Sequence, residues 1–351
     1  MAATDYPVGH PLAVKLWSRK LAREALKATM AYKFMGESSN FLIQVFDETR
    51  KSAGDRIRIP LRMQFTSRGV TENEQLEGNE DTLTTHSDDL LINELNNAAR
   101  VKTRIDAQRV PFSVREEARL GIQDWYSDRI DTAAANALTG NTAVTDTIYT
   151  GFNATTAPTS ATGNRRIIYA DEASTTEGSL SASQTFQLTM LDTAVQIAKT
   201  STPKIRPIKV GSQEYYVVFL HPNQVRSLRT ATNTGSWLDI QKQAMAGGEI
   251  EENPIFTGAL GVYNGIVLHE WVRLPKAPAN ANTRRAVFCG AQAAAWAYGK
   301  NTGEEPNYVE DTFDYGREFG VSVQTILGCK KLVFNSIDFS TIVITTWAAD
   351  L

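Results

Sequence analysis

The residues from Ser113 to Gly140 constrain the fold more than any other stretch of the chain. Ser113 and Glu116 make a capping box, Ala118, Ile122, Tyr126, Ile130, Ala133 and Ala137 recur at three- and four-residue steps, and Gly140 stops the pattern. About 26 residues at 1.5 Å each predict a helix about 39 Å long, which is long for a globular protein. The chain is therefore expected to be organised around a structural spine.

A second constraint lies just before the spine. "DRIRIPLRMQF" sets Ile57, Ile59, Leu61, Met63 and Phe65 on one side of a strand of period two, and Pro60 suits an edge or a protruding ribbon better than a central strand. The strand runs into an acidic stretch carrying Glu72, Glu74, Glu77, Glu80, Asp81, Asp88, Asp89 and Glu94, after which a second strand-like segment returns. Two strands alone are marginal in water, so a ribbon over residues 54–105 needs a surface to lie on, and a neighbouring copy of the chain is a candidate. Further upstream, residues 12–35 read as a helix on Val14, Trp17, Leu21, Ala25 and Ala28. Its other faces carry Lys15, Arg19, Lys20, Arg23, Lys27 and Lys33 against the acid Glu24. Such a face is either solvated or an arm that lies on an acidic partner or on packaged nucleic acid.

Beyond the spine, residues 139–164 are rich in Thr, Ala, Asn and Gly without amphipathic period, and read as a surface loop or insertion. A helix is expected over 184–200 on Phe186, Met190, Ala194, Ile197 and Ala198. A buried strand follows at Tyr215–Leu220 and runs directly into a helix with Pro222 in its first turn. In "NPIFTGALGVYNGIVLHE", Gly258 and Gly261 close a short segment, Asn264–Gly265 makes a turn, and Ile266–Leu268 forms a strand ending in His269–Glu270. A further strand at Ala286–Cys289 and a β-rich tail complete an α+β chain without regular βα alternation.

The chemistry of the sequence is sparse. A chain of 351 residues with a net charge of −3 is large enough for a substantial core and is not a dedicated nucleic-acid binder. Cys289 and Cys329 form no metal pattern or disulfide framework and read as buried thiols. No apolar run approaches the roughly 20 residues of a membrane span, so a soluble chain without membrane contact is expected. Phosphate-loop, dinucleotide, nucleophile-elbow and zinc-helix motifs do not occur, and the acidic stretch lacks calcium-loop spacing. Ser201-Thr202-Pro203-Lys204 matches S-x-x-K but lacks that enzyme class's companion motifs. The histidines are His10, His86, His221 and His269; His221 suits a helix start and His269 a strand end better than proton transfer. Glu304, Glu305, Glu310, Asp311, Asp314 and Glu318 read as a solvated edge or an interface, and the sequon at Asn153 as accidental. No catalytic, cofactor or metal site is expected.

The order of the parts is the most informative feature. A basic arm, a long acidic ribbon, a spine helix, a second helix and a compact α+β region with a returning strand resemble the Hong Kong 97 phage coat fold. "LEGNEDTL", "QDWYSDRIDTAAANALTG", "NPIFTGALGVYNGIVLHE" and "AVFCGAQAAAWAYG" are similar to the N-four-like group of tailed-phage major capsid proteins. The resemblance covers residue 12 to the C-terminus and implies an arm (1–53), an extended loop (54–105), a peripheral domain (106–204), an axial domain (205–300) and C-terminal strands (301–351) returning to both domains. It implies pentamers and hexamers closing an icosahedral head around double-stranded DNA in the bacterial cytoplasm, with a portal and a decoration or cement protein as further partners. The archetype carries a scaffolding segment ahead of its arm, whereas helical pattern here begins near residue 12, so a separate scaffolding protein is expected. Lys15, Arg19, Arg23, Ile57, Ile59, Leu61, Phe65, Glu72, Glu74, Glu77, Glu80 and Asp81 become candidates for contacts between subunits. Gly140, Gly258, Gly261, Asn264 and Gly265 become turn formers. The archetype's mature shell is joined by an isopeptide bond from a ribbon lysine, yet no lysine lies between Lys51 and Lys102. The alternatives are an encapsulin-like nanocompartment shell and an enzyme of unrecognised type.

Overall fold

The computed structural model describes residues 30–51, 54–65, 67–102, 108–109, 113–161, 163–171, 174–230, 259–300 and 307–350. A 3₁₀ turn, Ala31–Phe34, leads into β1 (Met35–Gly36) and β2 (Ile43–Phe46). Then come β3 (Arg56–Arg62), β4 (Thr85–Leu91), β5 (Asn93–Val101) and the long helix α1 (Val114–Thr139). β6 (Ile167–Tyr169), α2 (Thr189–Thr200), β7 (Ile208–Val210), β8 (Gln213–Leu220) and α3 (Pro222–Thr230) follow. The rest is mainly strand: β9 (Gly261–Tyr263), β10 (Ile266–Glu270), β11 (Lys276–Ala277), β12 (Asn280–Cys289) and β13 (Ala294–Tyr298). β14 (Asn307–Phe313), β15 (Glu318–Lys331), β16 (Val333–Phe334), β17 (Ile337–Asp338) and β18 (Thr341–Trp347) close the chain. The described residues group into two units, one drawn from 96–126 and 306–324, the other from 30–95, 127–305 and 325–350.

The spine forms over the expected residues. Its start is capped by Ser113, whose Oγ accepts from the Glu116 N–H at 3.4 Å. At its end Gly140 turns left-handed at φ 61°, its N–H bonds Ala137 O, and the Asn141 N–H bonds Asn136 O at 3.1 Å. This pair of bonds satisfies carbonyls that the last turn would leave open, and only glycine takes that φ without strain. Arg285 adds to the cap, its guanidinium donating to Thr139 O at 3.1 Å and Gly140 O at 2.7 Å while pairing with buried Glu177 at 2.6 Å.

In the larger unit, an eight-stranded sheet runs β6-β18-β12-β8-β10-β9, with β11 on β12 and β7 on β8. One face carries Tyr216, Val218, Leu220, Ile266, Leu268, Phe288, Ile342 and Ile344 and is covered by Met190, Leu191 and Ala194 of α2 and Val225 and Leu228 of α3. The opposite face is covered too, since Phe34 meets Phe219 edge-on at 5.1 Å. Burial on both faces explains why β8 reads "YYVVFL" without alternation. His221 starts α3, its Nδ1 accepting from the Asn223 N–H at 3.2 Å while Gln224 Oε1 accepts from the His221 N–H at 3.0 Å, a reciprocal cap. Asn264 and Gly265, at φ 47° and 73°, turn β9 into β10, and Gly261 opens β9.

Several expectations need correction. The expected helix over 12–35 is described only from residue 30, where it is a 3₁₀ turn followed by β1, because Met35 and Gly36 pair with Ile43 and Gln44. Residues 12–29 and Gly258 lie outside the described residues. The helix expected from 184 begins at Thr189, because Gln184 O is taken by the Trp347 N–H at 2.9 Å. The segment 139–164 is more than a surface loop, since Asn141, Thr150 and Asn153 within it are buried. Buried Ser201 of the S-x-x-K match accepts from Arg166 at 2.7 Å, which gives it a structural partner.

Candidate assembly surfaces

β3 and β4 pair antiparallel from Arg56↔Leu91 to Arg62↔Thr85, and they form a two-stranded ribbon as the alternation implied. What the ribbon lies on differs from expectation. Ile57, Ile59 and Leu90 are buried against Ala295 and Ala297 of β13 together with Leu332, Phe334 and Phe339, and Leu61 packs at the margin of this cluster. Ile57 and Ile59, expected at an interface with another copy, therefore belong to the chain's own core. The apolar face of the ribbon stem is satisfied by the sheet that the same chain provides, and each such burial contributes about 1.5–3 kcal/mol to the subunit itself. Of the four apolar candidates, Phe65, which lies beyond the end of β3, is exposed at 53%.

The opposite face of the stem is charged. Arg58 donates to both oxygens of Asp89 at 2.8 and 3.1 Å, and Arg56 joins at 3.4 Å. Bonding to Arg58 holds the Asp89 carboxyl below its ordinary value of 3.8. Beyond the stem, residues 67–84 contain no strand and carry Glu72, Glu74, Glu77, Glu80 and Asp81 against Arg68. Some of these acids hold the tip's own backbone: Asp81 accepts from the Ser67 N–H at 3.1 Å, Glu80 from the Gly78 N–H at 2.8 Å, and Glu74 pairs with Arg68. Leu76 and Leu83, at 64% and 58% exposed, join Phe65 on this acidic tip.

The ribbon is rooted firmly. Asp88 accepts from the Val333 N–H at 3.1 Å and pairs with Lys330, whose ammonium also donates to Asp89 O at 3.1 Å. Asn153 is the second root: its amide donates to Leu91 O at 3.0 Å, Gly151 O at 2.9 Å and Cys329 O at 3.2 Å, while its Oδ1 accepts from the Leu91 N–H at 2.9 Å. A Cβ on Gly328 would lie 2.1 Å from Leu91 O, so the strands approach at a distance that only glycine permits. Composition alone hid the role of Asn153, which sits in a run dominated by Thr, Ala and Gly. The asparagine of the sequon is itself buried.

A second exposed feature escaped the sequence reading. In the smaller unit, β14 and the start of β15 pair from Asn307↔Gln324 to Phe313↔Glu318. Their turn uses Asp314 and Tyr315 at φ 50° and 51°, and Tyr315 is fully exposed. Tyr308, Val309 and Phe313 are also exposed on this hairpin. The signal was present in "YVEDTFDYG", where an Asp-Tyr-Gly turn follows a β-prone run. The nearby acids have partners within the same unit: Glu310 pairs with Arg115, Glu318 with Arg100, and Asp314 with Arg317 at 3.3 Å.

The two cysteines are buried, and burial pushes both thiols up from their ordinary value. His269 is buried in ring contact with Phe34 at 5.1 Å, a packing position at the end of β10. Lys15, Arg19 and Arg23 lie outside the described residues.

Residues 5–350 match the family described as phage capsid protein. The chain is similar to the major capsid protein of Pseudomonas phage KPP25, at 29% identity over 352 residues, covering 92% of this chain and 90% of the relative. Among solved structures it is similar to the capsid of Ralstonia phage GP4, with a TM-score of 0.82, 29% identity and 99% of each chain covered. The capsid asymmetric unit of cyanophage Pam1 matches with a TM-score of 0.76 and 19% identity over 99% of this chain and 100% of that one, a likeness of fold.

Proposed function

The chain belongs to the phage capsid protein family, and on that premise we propose that its copies close into pentamers and hexamers of an icosahedral head around double-stranded DNA. It is a structural protein of the virion capsid with a Hong Kong 97-type fold. The observation that carries the reading is the match over residues 5–350 together with the near-complete overlap on the GP4 capsid. The nanocompartment alternative is not favoured, since the family and the relatives are phage capsids.

Contacts between copies fall to what the described residues leave exposed, the acidic tip with Phe65, Leu76 and Leu83 and the β14–β15 hairpin with Tyr315, and to the basic run carrying Lys15, Arg19 and Arg23, whose charge suits an acidic partner. Exposed ion pairs contribute about 0–1 kcal/mol each, so the apolar residues supply most of the interface energy. Separate scaffolding, portal and decoration proteins complete the assembly in the host cytoplasm. With a net charge of −3, contact with DNA is weak, nonspecific and steeply salt-dependent. Electron microscopy of the purified protein, alone and with the scaffolding protein of its phage, tests the reading. Isometric shells of many copies are expected, and a persistent monomer or dimer under both conditions would overturn it.

A further inference from the structure

Asn264 and Gly265 form the turn between β9 and β10, with Tyr263 and Ile266 paired across it. They are the one Asn-Gly pair in the sequence, and Asn264 is exposed to water. Such a pair is chemically labile, because glycine has no Cβ to shield its amide nitrogen from the carbonyl carbon of the preceding side chain. Here the asparagine is restrained. Asp192, in the first turn of α2, accepts from Asn264 Nδ2 at 3.0 Å with one oxygen and from the Tyr263 hydroxyl at 3.0 Å with the other. The same carboxylate therefore fastens the turn to the helix and holds the side-chain amide by its nitrogen. On the other side, Gly265 O accepts from the Tyr216 N–H at 2.9 Å, which ties the turn to β8.

We propose that Asn264 is a site of spontaneous deamidation, that Asp192 slows the reaction, and that conversion detaches the turn from α2. In the reaction the Gly265 nitrogen bonds to Asn264 Cγ and its proton passes to Nδ2, which leaves as ammonia. Water then opens the cyclic imide to aspartate or isoaspartate, with nothing oxidised or reduced. By holding Nδ2, Asp192 restricts the side-chain rotation that brings Cγ to the Gly265 nitrogen. Aspartate sets a second carboxylate against Asp192 where an N–H donor stood, and like charges at that separation repel. Isoaspartate lengthens the main chain within a two-residue turn whose geometry fixes the register of the hairpin.

All of this takes place within one subunit, so the test does not depend on shells forming. Full-length wild type, Asp192→Ala and Asp192→Asn are incubated at mildly alkaline pH beside a free peptide of residues 261–267, and conversion at Asn264 is followed by peptide mass mapping. Asn335–Ser336, an exposed turn of similar φ, 50° and 61°, whose second residue carries a Cβ, is the internal control. The wild type should convert at Asn264 more slowly than the peptide. Asp192→Ala should convert about fivefold faster than the wild type, the factor that one hydrogen bond supplies, with Asn335 unchanged. Asp192→Asn keeps the size and one acceptor and should fall between the two, which supplies the readout if Asp192→Ala does not fold. Equal rates in the wild type and the variants, or an Asn264 that stays intact in all of them while the peptide converts, overturns the proposal. For the last step, Asn264→Asp should lower the melting temperature, and adding Asp192→Asn should recover part of the loss by replacing one of the two facing carboxylates. An unchanged melting temperature, or no recovery, shows that conversion does not detach the turn.

Discussion

Single residues in this chain tie distant elements together through buried polar groups. Arg285 is the clearest case, since it neutralises Glu177 and caps the carbonyl end of α1 at once. Removing one partner of a buried pair leaves the other charged and unsatisfied. Glu177→Gln should therefore destabilise the isolated subunit by about 3 kcal/mol in denaturant unfolding, and a much smaller loss would show that Arg285 finds solvent or another acceptor. Gly140→Ala carries two penalties: a left-handed φ of 61°, and a Cβ only 2.4 Å from Thr156 O. Its melting temperature should fall by more than that of an alanine placed at Gly121, which has open space around it. Asp89 shows a different kind of effect. Its folded carboxyl is held low by Arg58, so its contribution is present above the ordinary value of 3.8 and is lost as pH falls through the lowered folded value. Arg58→Ala should move the Asp89 titration midpoint upward toward 3.8, read by carboxyl chemical shifts; an unmoved midpoint would mean the pair is not held in solution.

Elements whose signals are local were legible in advance, and those set by long-range contacts were not. The spine, the Asn264–Gly265 hairpin and the Pro222 helix start each carry their own stop or start residues, and all three form as read. The start of α2 was misplaced because Gln184 is held by Trp347, more than 160 residues away. The ribbon was legible as a ribbon from its alternation, but its apolar side was assigned to another copy when β13 of the same chain covers it. Period two tells which residues share a face; it does not tell whose surface that face meets. The corrected assignment sharpens a prediction at this scale. Stem residues Ile57 and Ile59 hold the subunit together, while the tip beyond them is exposed and contributes little to its stability. Deleting residues 68–82 should leave the melting temperature of the subunit nearly unchanged and sharply reduce the yield of shells. Ile59→Ala should do the reverse, lowering the subunit's stability by about 2–4 kcal/mol. Normal shells from the tip deletion would remove the tip from assembly.

At the scale of the assembled particle, the question is what holds many copies together once they have met. In the archetype that the sequence resembles, a ribbon lysine forms an isopeptide bond with a neighbour's asparagine. Here the ribbon between Lys51 and Lys102 carries arginines at 56, 58, 62, 68 and 100 and no lysine. A guanidinium stays protonated at any accessible pH and does not act as the amine nucleophile. Two lysines at the ribbon root are already engaged: Lys330 pairs with Asp88, and buried Lys331 pairs with Asp338 at 2.9 Å while donating to Thr156 O at 3.1 Å. Lys331 is buried, and the partly exposed ammonium of Lys330 is held by Asp88 and by Asp89 O, so neither is a free amine for a second copy. The shell is therefore expected to be held by noncovalent contacts of the tip, the hairpin and the basic arm, reinforced by any cement protein. Such contacts are weak singly and strong in aggregate, because every copy makes them in several directions. Mature particles boiled in detergent and run on a denaturing gel should give one band at the mass of the single chain. A ladder of oligomers that survives both boiling and reductant would show that a covalent link forms from an amine elsewhere, with Lys102 at the foot of the ribbon the first position to replace by arginine.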